Sequence, residues 1–307
     1  MSLVVFELCV YPQSTEISGQ SFNKGANGLW LRYYWYFGRY TDTAIEGMVD
    51  RLRQHQIKYA YFHVRNITAD GSLKYHFLDN AHNLNGIVRR KYPGCQSIAW
   101  VNADSSEVDL EKPAVRKKMI EEASWLVNQC GFDGVQWDYE FAENGDEDLV
   151  TLMRETKARL GSHFVGAATP MWYPGTLWGW SDDYIRRMAV VSDQLAVMCY
   201  DSFFYQPRSY VWLVEQQCHH FLDDAQKTGA HCKIILGLPT YDTKDGTAGH
   251  IDWTENVRMG LKGVRQGLMN CQDALASFDG VALFADYTTD DKEWQQVDDL
   301  WLKPVPK

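Results

Sequence analysis

Short apolar runs, rich in aromatic and β-branched residues, alternate along this chain with longer stretches in which apolar positions recur every three or four residues. The first pattern predicts strands and the second amphipathic helices. Strands are expected at 29–37 (LWLRYYWYF), 58–64, 96–101, within the segment 131–140, and at 163–168, 194–200, 233–238 and 280–284. Helices are expected between them: from a Thr41-Asp42 cap to about Gln56, before the Tyr92-Pro93-Gly94 turn, and at about 113–130, 146–160, 182–188, 209–228, 253–271 and 290–300. Strand–helix units in unbroken succession, with no internal repeat or low-complexity linker, predict an α/β fold of the (β/α)8 barrel type. The alternative, an open doubly wound sheet, is disfavoured because no glycine-rich phosphate turn follows any strand. Residues 29–307 are therefore expected to form one barrel, with 1–28 as an N-terminal extension supplying an extra strand or arm across its bottom.

The fourth strand segment, GFDGVQWDYE at 131–140, has an unusual polarity. Strand side chains alternate faces, so Gln136, Asp138 and Glu140 share one face, and Val135, Trp137 and Tyr139 share the other. The apolar face suits packing under helices. Carboxylates on an otherwise buried strand are costly, and such a pair points to chemistry. In a parallel barrel Glu140 would stand at the strand's C-terminal end, where these folds place their active sites.

Composition narrows the choice of partner. The 307 residues carry a net charge of −10, which speaks against a nucleic-acid footprint and leaves a neutral saccharide or small molecule as the better fit. Aromatic residues make up 14% of the chain, with 12 tryptophans, more than a core alone requires; some are candidates for stacking against pyranose faces. The seven cysteines show no CxxC spacing, so neither a metal site nor a cofactor is signalled, and reduced buried thiols are expected rather than a disulfide framework. Residues 1–12 lack a basic start and a long enough apolar run for a signal peptide, and no stretch has the length of a membrane span. These features leave the compartment open.

The segment 133–140, DGVQWDYE, resembles the DGxDxDxE motif of glycoside hydrolase family 18, the chitinases and endo-β-N-acetylglucosaminidases, with Gln136 in place of the motif's second Asp. Met198-Cys199-Tyr200-Asp201 is similar to the family's M-x-Y-D after the sixth strand, and Gly237-Leu238-Pro239-Thr240-Tyr241 to the G-L-P-x-Y closing the seventh. The resemblance runs from about Leu29 to Trp301 and is specific at these three motifs. Two positions depart from the pattern: the third strand ends Ala99-Trp100-Val101-Asn102 rather than S-x-G-G, and Phe284 stands where the eighth strand usually offers Trp. Only about forty residues separate Tyr241 from Val281, so the chain looks like a small form without the insertion between strands seven and eight, and a more open groove is expected.

The resemblance implies a retaining hydrolase of β-1,4-linked N-acetylglucosamine glycans, chitin or related, working by substrate-assisted catalysis. It assigns Glu140 as the acid, Asp138 as partner of the substrate's acetamido N–H, Tyr200 as donor to the acetamido oxygen, and Asp133 as structural support at the strand base. Gln136, Met198, Asp201, Tyr241, Phe284, Trp100 and Trp172 are implied in substrate binding, Trp172 being the leading stacking candidate and Trp35 and Tyr205 weaker ones. An amide at 136 removes the charge coupling of paired carboxylates, so Asp138 is expected to stay ionised, with Gln136 donating to it. His63 and Arg65 could line the groove, whereas His219-His220 read as helix surface and Asp290-Asp291 as a helix cap. The alternative from another class is a non-catalytic, chitinase-like lectin barrel. A third reading is a two-carboxylate glycosidase with Asp201 or Asp286 as nucleophile.

Overall fold

A computed structural model describes residues 1–11, 21–173, 179–242, 244 and 249–303. Eight parallel strands close into a barrel in sequence order: β1 (Asn27–Leu31), β2 (Ile57–Asn66), β3 (Gln96–Asp104), β4 (Gly134–Glu140), β5 (Phe164–Thr169), β6 (Gln194–Met198), β7 (Lys233–Pro239) and β8 (Phe278–Phe284). A helix follows each strand and takes its number: α1 (Asp42–Gln54), α2 (Leu78–Lys91), α3 (Pro113–Asn128), α4 (Glu147–Leu160), α5 (Asp182–Val191), α6 (Pro207–Gln217), α7 (Val257–Asn270) and α8 (Asp291–Val297). Thr41 caps α1 by accepting from the Ala44 N–H, and Asp290 caps α8 in a full capping box with Glu293. The expected (β/α)8 barrel is the fold found.

Two cores result from the alternation of side chains along the strands. Outward residues such as Leu29, Phe62, Val101, Val135 and Leu236 pack with the helices. Inward residues, among them Trp30, Tyr59, Tyr61, Ile98, Trp100 and Ile235, fill the barrel as a second cluster. Low in this interior, the Tyr61 hydroxyl donates to Gln194 Oε1 at 2.5 Å, while Gln194 Nε2 and the Tyr59 hydroxyl both donate to Asp279 Oδ2 at 3.0 and 2.8 Å. Among the described residues these rings and polar groups fill the barrel beneath its C-terminal mouth.

Two expectations differ from the structure. The run 29–37 is strand only to Leu31; residues 33–38 form turns, with Tyr36 fully buried and Phe37 against Tyr75 and Phe77. Aromatic content suggested extended chain, but the rings instead pack a turn over the top of α2. Towards the N-terminus, Leu3–Val5 and Phe6–Val10 are helical rather than strand, while Lys24 donates to the carbonyls of Leu275 and Phe278 at the foot of β8. Every barrel strand already has two neighbours, so no edge remains for another. The segment lies outside the barrel instead, with Glu7 paired to Arg208 of α6 at 2.9 Å and Tyr11 accepting from Lys262 of α7 at 3.2 Å.

Within the 133–140 motif, Gly134 has a steric explanation. A Cβ there would lie 2.1 Å from the carbonyl oxygen of Phe164 and 2.6 Å from its Cβ. Contact with backbone cannot be relieved by a rotamer change, so Gly134→Ala must push β5 away from β4. We predict a loss of about 1–3 kcal/mol, as for overpacked cores, measured by urea denaturation. An unchanged unfolding midpoint would contradict the steric assignment.

Candidate active site

Parallel register aligns β3 with β4 residue by residue: Trp100 beside Gln136, Asn102 beside Asp138, and Asp104 beside Glu140. The inward face of β4 therefore climbs from the barrel floor to its mouth in three polar steps. Gln136 is wholly buried, its Oε1 accepting from Trp30 Nε1 at 2.8 Å. Asp138 is next and also buried; its Oδ2 accepts from Trp100 Nε1 at 2.7 Å and from Asn102 Nδ2 at 3.4 Å. Asp138 Oδ1 has no hydrogen-bond partner among the described residues, although it is shielded from solvent. Glu140 tops the strand, half-buried, and the Glu140–Phe141 and Phe284–Ala285 peptide bonds are cis.

The upper two steps, Asp138 and Glu140, line one wall of a cavity of about 270 Å³ at the C-terminal mouth. Phe284 lies between the other rings of the wall, its centroid 5.8 Å from Trp30, 5.9 Å from Trp100, 5.2 Å from Tyr200 and 6.0 Å from Tyr241. Met198 and Asp201 complete the far wall. The Tyr241 hydroxyl donates to Asp201 Oδ1 at 2.7 Å. A small aromatic-walled chamber with two acids on one side suits a ring-shaped polar ligand that presents both apolar faces and hydrogen-bonding edges.

Charge and burial set the protonation states. The carboxyl of Glu140 is pushed up to about 7, first by the negative charge of Asp138 beneath it and then by burial, against an opposing hydrogen bond from Asn102. Burial raises Asp138 as well, countered by the Trp100 and Asn102 hydrogen bonds. This revises the sequence-based expectation: replacing a carboxylate by Gln136 does not free Asp138 from coupling, because its coupled neighbour is Glu140. Nor does Gln136 donate to Asp138, since its Nε2 has no partner among the described residues. Asp138 holds two donors to its charged form, so the pair's shared proton resides on Glu140. Burial likewise holds the Tyr200 phenol above its ordinary range, keeping it a hydrogen-bond donor.

Of the residues singled out in the sequence, Glu140, Asp138, Tyr200, Met198, Asp201, Tyr241, Phe284 and Trp100 all line the cavity, and Gln136 lies directly beneath it. Trp172 does not. Its backbone N–H donates to Gln217 Oε1, its carbonyl accepts from Gln217 Nε2, and its indole stacks on His220 at 3.5 Å in the helical layer. The centre of its loop, residues 174–178, lies outside the described residues. Asp133 sits at the opposite end of β4, where Oδ2 accepts from the Ser97 N–H at 2.7 Å. Asp286 faces away from the cavity, accepting from Trp35 Nε1 at 2.7 Å and from the Arg32 N–H at 3.0 Å. His63 stands behind the wall, stacked on Trp100 at 4.1 Å, with burial lowering its imidazole to about 3.

The structure adds Trp30, Asn102, Ala168, Tyr287 and Thr288 to the lining. Sequence pattern does not single out Trp30, because the aromatic run 29–37 reads as one strand whose end would fall at Phe37. Asn102 could have been found: it is two residues beyond Trp100 on the same strand face, and its amide reaches both acids while its Oδ1 accepts from Asn66 Nδ2 at 3.1 Å. Among the described residues, Asp201, His250 and Glu255 bring three possible metal-ligand atoms within 4.8 Å of one another.

A family model described as "Glycosyl hydrolases family 18" matches residues 32–300. No curated protein matches the chain significantly. Among solved structures, the spore cortex-lytic enzyme SleL of Bacillus cereus is similar in fold, at 11% identity and a TM-score of 0.62, covering 92% of this chain and 75% of that one. A chitinase from Chromobacterium violaceum shares 17% identity with a TM-score of 0.59, covering 89% and 98%. A class V chitinase from Nicotiana tobaccum, solved with NAG4, shares 12% identity with a TM-score of 0.60, covering 89% and 97%.

Asn102 supplies a direct check of the electrostatics. In Asn102→Ala both carboxyls lose a donor to their charged form, so both are predicted to titrate higher than in the wild type. Infrared titration of the protein with isotope-labelled carboxyl groups reads this shift. Unaltered titration of Glu140 would show that the Asn102 amide does not act on it.

Proposed function

The chain belongs to glycosyl hydrolases family 18, and from that membership we propose that it is a retaining hydrolase of β-1,4-linked N-acetylglucosamine-containing glycans, chitin or a relative of it. The tobacco chitinase that shares its fold holds NAG4, which fits this substrate class. The observation that carries the proposal is the pairing on β4: a carboxyl held protonated near neutral pH directly above a buried carboxylate with one oxygen unpartnered.

Cleavage of a glycosidic bond needs a proton for a poor leaving group and stabilisation of an oxocarbenium-like centre. Glu140 delivers the proton to the glycosidic oxygen. Departure of the leaving group is matched by attack of the substrate's own 2-acetamido oxygen on the anomeric carbon, which forms an oxazolinium ion. Asp138 Oδ1 accepts the acetamido N–H and balances the positive charge as it grows. The Tyr200 hydroxyl donates to the acetamido oxygen and fixes its line of attack. Water, deprotonated by the Glu140 carboxylate, then opens the ring from the same face the leaving group left, and configuration is retained. A mechanism with Asp286 as nucleophile finds no support, because that carboxylate is turned away and bound to Trp35 and Arg32.

Because Glu140 must enter the cycle protonated and its carboxyl lies at about 7, turnover should decline as pH rises through neutrality. We predict hydrolysis of aryl β-chitobiosides but not of the matched cellobiosides, with inhibition by an N-acetylglucosamine thiazoline. Glu140→Gln should lower kcat by about a hundred- to ten-thousandfold while NAG4 still binds. Cellobioside turnover untouched by the thiazoline would overturn the substrate-assisted route. Binding of NAG4 with no turnover of any glycan by the wild type would instead make the protein a lectin.

A further inference from the structure

The turn after β6 carries Tyr200 and Asp201, and its backbone takes a course that side-chain-bearing residues seldom adopt. Asp201 has φ 57° and Phe203 φ 61°, with no glycine in the turn to ease either. An aspartate enters this region more readily than most residues, but a phenylalanine does not. The partners that hold the turn come from the segment ahead of α7, some fifty residues away.

Glu255 is the centre of that contact. Its carboxylate is buried to 1% exposure. Oε2 accepts from the Asp201 N–H at 2.8 Å, and Oε1 accepts from the Ser202 N–H at 2.8 Å and from the Ser202 hydroxyl. His250, itself buried, brings Nδ1 to 3.3 Å from Oε2 and packs its ring 4.3 Å from that of Tyr241. The carbonyl of Gly249 accepts the Phe203 N–H at 3.0 Å. One buried anion thus gathers two successive backbone N–H groups and a hydroxyl, as a nest of amides gathers a bound anion, except that here the anion belongs to the protein.

The same cluster could be read as a metal site, since Asp201, His250 and Glu255 stand close together. The hydrogen-bond directions argue otherwise. Both oxygens of Glu255 are already met by N–H or O–H donors, an environment that satisfies an anion and would repel a cation.

We propose that Glu255 is a positioning residue: it imposes the left-handed conformation of Asp201, and through it the placement of the Tyr200 phenol and the Asp201 carboxylate at the cavity wall. The proposal rests on the functional reading above for its kinetic consequence, though not for its structural one. Glu255 is not among the residues that line the cavity; it acts through the turn it holds.

Glu255→Gln retains size but turns an amide donor toward N–H groups that need an acceptor. A crystal structure of the variant should show Asp201 displaced from positive φ and the Tyr241–Asp201 hydrogen bond broken. On aryl β-chitobiosides kcat should fall about ten- to a hundredfold, comparable to losing one charge-assisted hydrogen bond, with KM changed less than about twofold. Ser202→Ala, which removes one donor and leaves Glu255 in place, should show a smaller loss in the same direction and covers the case in which Glu255→Gln does not fold. An unaltered turn in the variant's structure, or wild-type kcat per folded molecule, would overturn the proposal. If the wild type itself turns over no glycan, the functional reading falls while the crystal structure still decides the role of Glu255.

Discussion

The negative charge of Asp138 acting on Glu140 is the interaction on which the rest of this site depends. An exposed glutamate at a strand tip would be ionised at neutral pH and useless as a proton donor. Here a second carboxylate lies beneath it in surroundings poor in water, and the repulsion is relieved by leaving one proton on the upper group. The hydrogen-bond donors decide which group keeps it. Asn102 is shared by the two carboxyls, whereas Trp100 serves the anion of Asp138 alone, so that residue holds the charge and Glu140 the proton.

The barrel makes this arrangement possible by register rather than by any special loop. Parallel pairing sets Trp100, Asn102 and Asp104 level with Gln136, Asp138 and Glu140, so Asn102 donates straight across to Asp138 and the Trp100 indole reaches one step up to the same carboxylate. The interior below is filled by aromatic rings and a closed polar network, which keeps water from reaching the acids from beneath. On the far side of the cavity, Asp201, Ser202 and Phe203, which follow Tyr200, are held by contacts from the segment ahead of α7. The two walls are therefore built by different means: one by strand register, the other by a buried carboxylate gripping a turn.

What was legible in the sequence follows the same division. Strand parity alone put Gln136, Asp138 and Glu140 on one face, and the order of strand and helix patterns was enough for the barrel. Resemblance supplied Tyr200, Met198 and Tyr241, each within a motif at the end of its strand, and all three line the cavity. The failures came where structure depends on partners far along the chain. Trp172 stacks on His220 of a later helix, and nothing in its own loop foretells which way it turns. The end of β1 is not legible in the sequence, because aromatic residues suit a packed turn as well as a strand. The resemblance places the coupling partner of Asp138 at position 136, where the amide of Gln136 removes it, whereas in the structure the neighbouring carboxyl is that of Glu140. Glu255 left no local trace, since its role exists only once β6 and the α7 approach are adjacent.

The central claim can be tested without substrate. With glutamate labelled at the carboxyl carbon, NMR titration can follow Glu140 in the wild type and in Asp138→Asn, with Glu140→Gln identifying the resonance. A Glu140 carboxyl that titrates at about 7 in the wild type, and falls toward the ordinary glutamate range when the Asp138 charge is removed, is the result this account predicts. A wild-type Glu140 that already titrates in the ordinary range, or one that Asp138→Asn leaves unmoved, would contradict it.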